Sequence, residues 1–202
     1  MTEYKIISLA DMLSELEESE VKDKLSSFSS PKNKDVEGFL KSNAIQFARQ
    51  NLAPTNLVYA NCDRGIFLCG YFTLTIKAIE VEKRLVGINT FNKPKKFGTY
   101  DKDCKKCSIP APLIAQLGKN YAHKCNELID GAVLLQMACE EVKKAQSIIG
   151  GKVVYLECED TEKLTSFYSK NGFKEFARRP LDSDEQSSFN EQYLVQMLKY
   201  LK

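Results

Sequence analysis

No apolar run in this sequence approaches the roughly 18 residues that a membrane-spanning helix needs, so no membrane partner is expected. The opening MTEYKIISLADMLSELEE has no basic stretch followed by an apolar core, and no secretory signal is expected either. Charge of one sign is nearly absent in excess. Twenty-nine basic residues against 27 acidic ones leave a net charge of +2, too little for a strong polyanion-attracting field. The seven cysteines are an odd number scattered through the chain, which fits reduced thiols rather than a disulfide framework. Internal repeats and low-complexity linkers are also missing. A cytoplasmic protein of one domain, 1–202, is expected from these absences, and a monomer or a homodimer is expected as its state.

What is present is ordinary in bulk and informative in pattern. A hydrophobic content of 43% with 28% charged residues supports a well-buried globular core. Tyr4 to Leu9 reads as a short strand. From Asp11 to Phe28 the apolar Met12, Leu13, Leu16, Val21, Leu25 and Phe28 predict one helix, broken by Ser29, Ser30 and Pro31. A second helix is expected over Asp35 to Gln50. Leu57 to Cys62 and the β-branched, aromatic stretch Ile66 to Val81 read as strands. The segment 83–110 has few apolar anchors and reads as a loop insertion, with six lysines and two aspartates between Lys93 and Lys106. Pro112 to Leu117 then reads as a buried strand, Gly118 to Asn126 as a loop, and Leu128 to Ala145 as a helix ended by Ile149-Gly150-Gly151. Gln192 to Leu201 has the composition of a closing strand, although its spacing also tolerates a helix. Strands and helices in this order predict a mixed α/β fold with a mostly antiparallel front half.

The clearest local signal is VVYLECEDTEKLTSFYSKNGFKEF, Val153 to Phe176. Val153 to Leu156 form a continuous apolar run, as in a strand buried on both faces. Leu164, Phe167 and Tyr168 recur at helical spacing, and Asn171-Gly172 supplies a helix stop. This FYSKNGF segment after a strand resembles the strand–helix–strand ending of the GCN5-related N-acetyltransferases. The resemblance implies a twisted, mostly antiparallel sheet flanked by helices, with strands splayed around an acetyl-CoA cleft. It implies transfer of acetyl from acetyl-CoA to a primary amine by direct attack in a ternary complex. It also implies that Tyr168 is catalytic, protonating or hydrogen-bonding the departing thiolate. On the residues alone, Tyr168 could equally pack between Phe167 and Phe173.

The same resemblance assigns cofactor contacts. Gln116, Leu117 and Gly118 would follow the pantetheine arm, and Lys119 is a further expected cofactor contact. Asn126, Leu128, Ile129, Asp130, Gly131 and Ala132 would form the turn at the helix start, where free backbone N–H groups hold the diphosphate. The family turn carries a Gln or Arg followed by Gly-x-Gly. Here Asn126 and Ile129 stand at the first two of these positions, and Gly131 alone keeps its glycine. Glu127 and Asp130 add negative charge there, offset by Lys119, His123 and Lys124.

The layout is similar to the acetyltransferase toxins that modify aminoacyl-tRNA, with Gly70-Tyr71-Phe72 and Ile109 to Leu117 in corresponding places. Near-neutral charge speaks against nucleic acid unless the chain is toxin-like. A degenerate fold serving as a binding or regulatory module is the other reading. Glu80, Glu157 and Glu159 are the carboxylates considered for a base, none within a motif. Cys104 and Cys107 with His123 and Cys125 would make a Cys3His set, but His123-x-Cys125 is too tight for the usual arch, and no metal is expected.

Overall fold

The helical spacing between Asp11 and Phe28 contains one residue too many. Met12 to Leu16 is four residues and Leu16 to Val21 is five, so a single helix would carry the later residues off the apolar face. The computed structural model, which describes residues 2–63, 65–82, 98–182 and 193–201, resolves the misfit by breaking the helix. Helix α1 (Leu9–Glu15) ends in extended backbone at Leu16, and α2 (Glu18–Ser26) begins from an equally extended Glu17. The expected single helix is therefore two. The reset lets Leu9, Met12, Val21, Leu25 and Phe28 all enter one core.

The chain divides into two compact units, Met1–Thr75 with Ile114–Glu140, and Ile76–Leu113 with Glu141–Lys202. In the first, strand β1 (Glu3–Ser8) pairs antiparallel with β2 (Thr55–Cys62), and β2 pairs antiparallel with β3 (Gly65–Glu82). The expected second helix is present but changes gait. Asn33 caps α3 (Lys34–Gly38) by accepting from Val36 N at 3.0 Å. A π-helical turn over Phe39–Asn43 follows, and α4 (Ala44–Arg49) completes the run. Val36, Leu40, Ala44, Ile45 and Ala48 pack with Leu57, Leu68 and Tyr71 of the sheet. Tyr71 satisfies its buried hydroxyl by donating to Val36 O at 2.6 Å.

The second unit has its own core of Ile79, Val81, Cys107, Ile109, Ala111, Leu113, Val153, Tyr155, Phe176 and Leu198. The expected loop insertion is corrected in its C-terminal part. Strand β4 (Thr99–Asp101) pairs with the start of β5 (Lys106–Lys119), and Lys102 to Lys105 form the turn between them, with Lys105 at φ 55°. Strand β5 thus begins six residues before Pro112 and ends at Lys119 rather than Leu117. Its alternating Cys107, Ile109, Ala111 and Leu113 are buried, while Pro110 points outward. Residues 83–97 of the expected insertion lie outside the described residues.

Helix α5 (Gly131–Ile149) is followed by Gly150 and Gly151, at φ 83° and 105°, which deliver the chain to β6 (Val153–Glu159). Thr161 caps α6 (Glu162–Lys170), and Gly172 at φ 86° ends it. β7 (Lys174–Pro180) and β8 (Tyr193–Tyr200) are antiparallel neighbours, and β8 also pairs with β6, so the closing segment is a strand and not a helix. Among the described residues, eight strands form one open, mostly antiparallel sheet in the order β1-β2-β3-β5-β6-β8-β7, with β4 alongside β5. This is the mixed α/β arrangement expected from the sequence.

Candidate functional site

The last turns of β5 are held by side chains that leave nothing slack. Asn120, 3% exposed, donates through Nδ2 to Leu68 O at 2.8 Å, and its Oδ1 accepts from Ser29 N and Ala122 N at 3.0 Å each. Alternation along the strand puts Gln116 and Gly118 on one face. Gln116 Nε2 donates to Asp35 Oδ2 at 2.8 Å, and a Cβ on Gly118 would lie 2.3 Å from Val36 Cγ1. That face of the strand is therefore pressed against α3. Lys119 instead points to the following loop and donates to Ile129 O at 2.7 Å. Leu117 is half-buried.

Beyond Asn120 the chain makes a 3-10 turn over Ala122–Glu127, with His123 and Lys124 both in the left-handed region, at φ 50° and 61°. Left-handed backbone at two successive non-glycine residues costs of order 1 kcal/mol each. Asn126 belongs to this turn. Leu128 gives its carbonyl to the Tyr4 hydroxyl at 2.7 Å, and Ile129 is buried. Helix α5 starts at Gly131, three residues later than the sequence reading placed it, and Asp130 O accepts its first helical bond from Leu134 N at 3.0 Å. The expected turn residues thus divide by role. Gly131 and Ala132 are the opening amides of a 19-residue helix, and Asn126 to Asp130 are the approach to it. Free N–H groups at that helix start, with the Lys119 ammonium on the adjoining Ile129 carbonyl, suit an anionic ligand. Exposed Glu127 and Asp130 oppose it.

Tyr168 lies on α6 in the other unit. Its ring meets Phe167 and Phe173 edge-on, with centroids 5.1 and 6.0 Å apart. The residue is half-buried, and among the described residues its hydroxyl makes no hydrogen bond. Burial, and then the neighbouring Cys158, push its pKa well above the usual phenol value. A phenol so held stays protonated at neutral pH, which is the state that can donate. Cys158 is itself pushed up to about 12, chiefly by burial and then by Asp160.

The carboxylates considered as bases are engaged. Glu157 accepts from Arg179 Nε and Nη2 at 2.9 and 2.7 Å and from Gln196 Nε2 at 2.7 Å. Glu80 pairs with Lys106 at 2.9 Å. Cys104 is exposed while Cys107 is buried, and among the described residues no group of three His, Cys, Asp or Glu converges on a metal position. Sequence reasoning missed Asp35 and Asn120. Asp35 looks like an ordinary acid in a first helical turn, and Asn120 like a loop polar residue.

No protein-family model matches the chain, and no curated protein matches it in sequence. Solved structures do. A structure of AtaT complexed with acetyl-methionyl-tRNAfMet superposes with a TM-score of 0.61 at 18% identity, over 96% of this chain and 94% of that one. A tyrosine-to-phenylalanine mutant of KacT gives 0.61 at 17% identity, over 95% and 93%. The fold is that of the acetyltransferase toxins. A mutant AtaT toxin bound to acetyl-CoA and the C-terminus of the antitoxin AtaR gives 0.54 at 18% identity, over 96% and 92%. The likeness spans at least 95% of this chain in each of these three comparisons. Among the described residues, no helix of it is long and apolar enough to cross a membrane.

Proposed function

We propose that the chain is an acetyl-CoA-dependent N-acetyltransferase acting on a primary amine. The observation that carries this reading is the full-length likeness to AtaT, a toxin solved both with acetyl-CoA and with an acetylated aminoacyl-tRNA. Acetyl-CoA would supply a thioester-activated acetyl group. Backbone of β5 at Gln116, Leu117 and Gly118 would follow its pantetheine arm. Lys119 and the amides opening α5 at Gly131 and Ala132 would face its diphosphate, with Asn126, Leu128, Ile129 and Asp130 shaping the approach.

In the reaction the neutral amine forms the new C–N bond as the C–S bond breaks. Tyr168 would donate to the departing sulfur; its protonated phenol and a hydroxyl without a partner among the described residues support that role. The amine's proton leaves to solvent, since Glu157 and Glu80 are held in ion pairs. The acceptor we favour is the amino group of an aminoacyl-tRNA, as in the AtaT complex. Calorimetric titration with acetyl-CoA tests the cofactor assignment, and binding in the micromolar range is expected. Titration of acetyl-CoA and charged tRNA together, followed by mass spectrometry of the aminoacyl ester, tests the acceptor. No heat at high micromolar acetyl-CoA would mean a degenerate fold that has kept its shape and lost its chemistry.

A further inference from the structure

Two side chains of the first unit, joined by one hydrogen bond, keep more acceptor capacity than the described residues fill. Asp35, in the first turn of α3, is half-buried; among the described residues the one hydrogen bond to its carboxylate comes from Gln116 Nε2, on Oδ2, and no Lys, Arg or His pairs with it. That bond fixes the amide of Gln116, because turning it over would set oxygen against carboxylate oxygen. Gln116 Oε1 is consequently buried without a donor. It is the one buried side-chain nitrogen or oxygen among the described residues in that condition.

The neighbours do not compensate. The Tyr71 hydroxyl is committed to Val36 O at 2.6 Å. Glu37, the next acid of α3, is satisfied on both oxygens, by Lys41 Nζ at 2.8 Å and by Ser30 N at 2.7 Å. Asp35 is thus the acid of this helix that keeps an oxygen open. A half-buried carboxylate with an open oxygen favours a cation, and an orphaned amide oxygen favours an N–H. A hydroxyl would serve Gln116 and leave the charge of Asp35 unmet, while a phosphate or carboxylate would be repelled. A primary ammonium meets both needs, having charge and three donors.

We propose that Asp35 and Gln116 form the seat for a primary ammonium group, Asp35 taking its charge and Gln116 Oε1 one of its N–H bonds. This rests on the acetyltransferase reading only in naming that ammonium as the acceptor amine before it loses its proton. Asp35 is a specificity residue here: it selects cationic amines over neutral molecules of the same shape.

The test uses the full chain and two small probes, L-methionine methyl ester and the same molecule without its amino group, methyl 4-(methylsulfanyl)butanoate. The readout is the side-chain amide signal of Gln116 in ¹⁵N-labelled protein, which requires no turnover. The amine probe is expected to move that signal saturably and the neutral probe to leave it in place. Asp35→Asn keeps an oxygen for Gln116 Nε2 and removes the charge, so it should weaken the amine probe at least tenfold. Equal response to both probes, or undiminished affinity in Asp35→Asn, would overturn the seat. Acetyl-CoA titration of the unmodified protein is read separately. Its failure would remove the acetyltransferase reading and leave the ammonium seat to be judged on the amide signal alone.

Discussion

Val36 Cγ1 occupies the space that a side chain on Gly118 would need, 2.3 Å from where its Cβ would stand. The same face of β5, two residues earlier, brings Gln116 against Asp35. Close approach at the glycine is thus what allows the amide–carboxylate contact beside it.

Gly118→Ala should therefore overpack this interface. A clash with a β-branched side chain on a helix has little room to relax, and a loss of about 1–3 kcal/mol is expected. Urea denaturation would show it as a lower midpoint at unchanged slope. Adding Val36→Ala should recover part of the loss, and a strictly additive double variant would contradict the contact.

Asn120→Asp keeps the acceptor for Ser29 N and Ala122 N but turns the donor to Leu68 O into an opposed oxygen. A buried carbonyl facing a carboxylate costs about 1–3 kcal/mol, read as a drop in melting temperature at neutral pH. The deficit should shrink as pH falls and the aspartate takes a proton. A deficit independent of pH would mean the donor to Leu68 does not matter.

Tyr168→Phe removes an oxygen that bonds nothing in the described protein, so its fold should persist. Turnover of acetyl-CoA should drop by about 10²-fold or more, the range for loss of a general acid, while acetyl-CoA affinity measured by calorimetry stays nearly unchanged. A matching fall in affinity would assign the ring, rather than the hydroxyl, to the site.

The thiols should sort by burial. Cys69 and Cys158 are each pushed up to about 12, first by burial, so almost none of either is thiolate at pH 8. Cys104 is exposed. Iodoacetamide at pH 8 should label Cys104 well before Cys69 or Cys158, with peptide mass spectrometry giving the order. Raising the pH within the stable range should speed the two buried thiols more than proportionally to any local opening.

Much of the second unit was legible because its periods change cleanly. Val153 to Leu156 are buried on both faces, Thr161 and Gly172 bracket α6, and Phe173 returns at once to the core. The start of β5 was hidden by Pro110 and Pro112, which read as loop residues although the alternation of Cys107, Ile109, Ala111 and Leu113 runs through them. The start of α5 was hidden because Leu128 and Ile129 extend its apolar pattern while lying outside the helix. Tyr168 could be singled out from its segment. Asp35 could not, since its meaning depends on Gln116, 81 positions away. Pairings of that range leave no periodic trace.

The π-helical turn at Phe39–Asn43 has a consequence for how this region tolerates insertion and deletion. Widening one turn accommodates an extra residue between Asp35-Val36 and the Ala44–Ala48 face. Each residue of an α-helix advances the azimuth by about 100°. Removing a single residue from the turn would restore ordinary helical pitch and leave Asp35 and α4 nearly in phase, because the wide turn takes five residues to cover the angle that about four cover in an α-helix. The extra residue is therefore absorbed within one turn, and a one-residue deletion there is expected to be tolerated better than one inside α4.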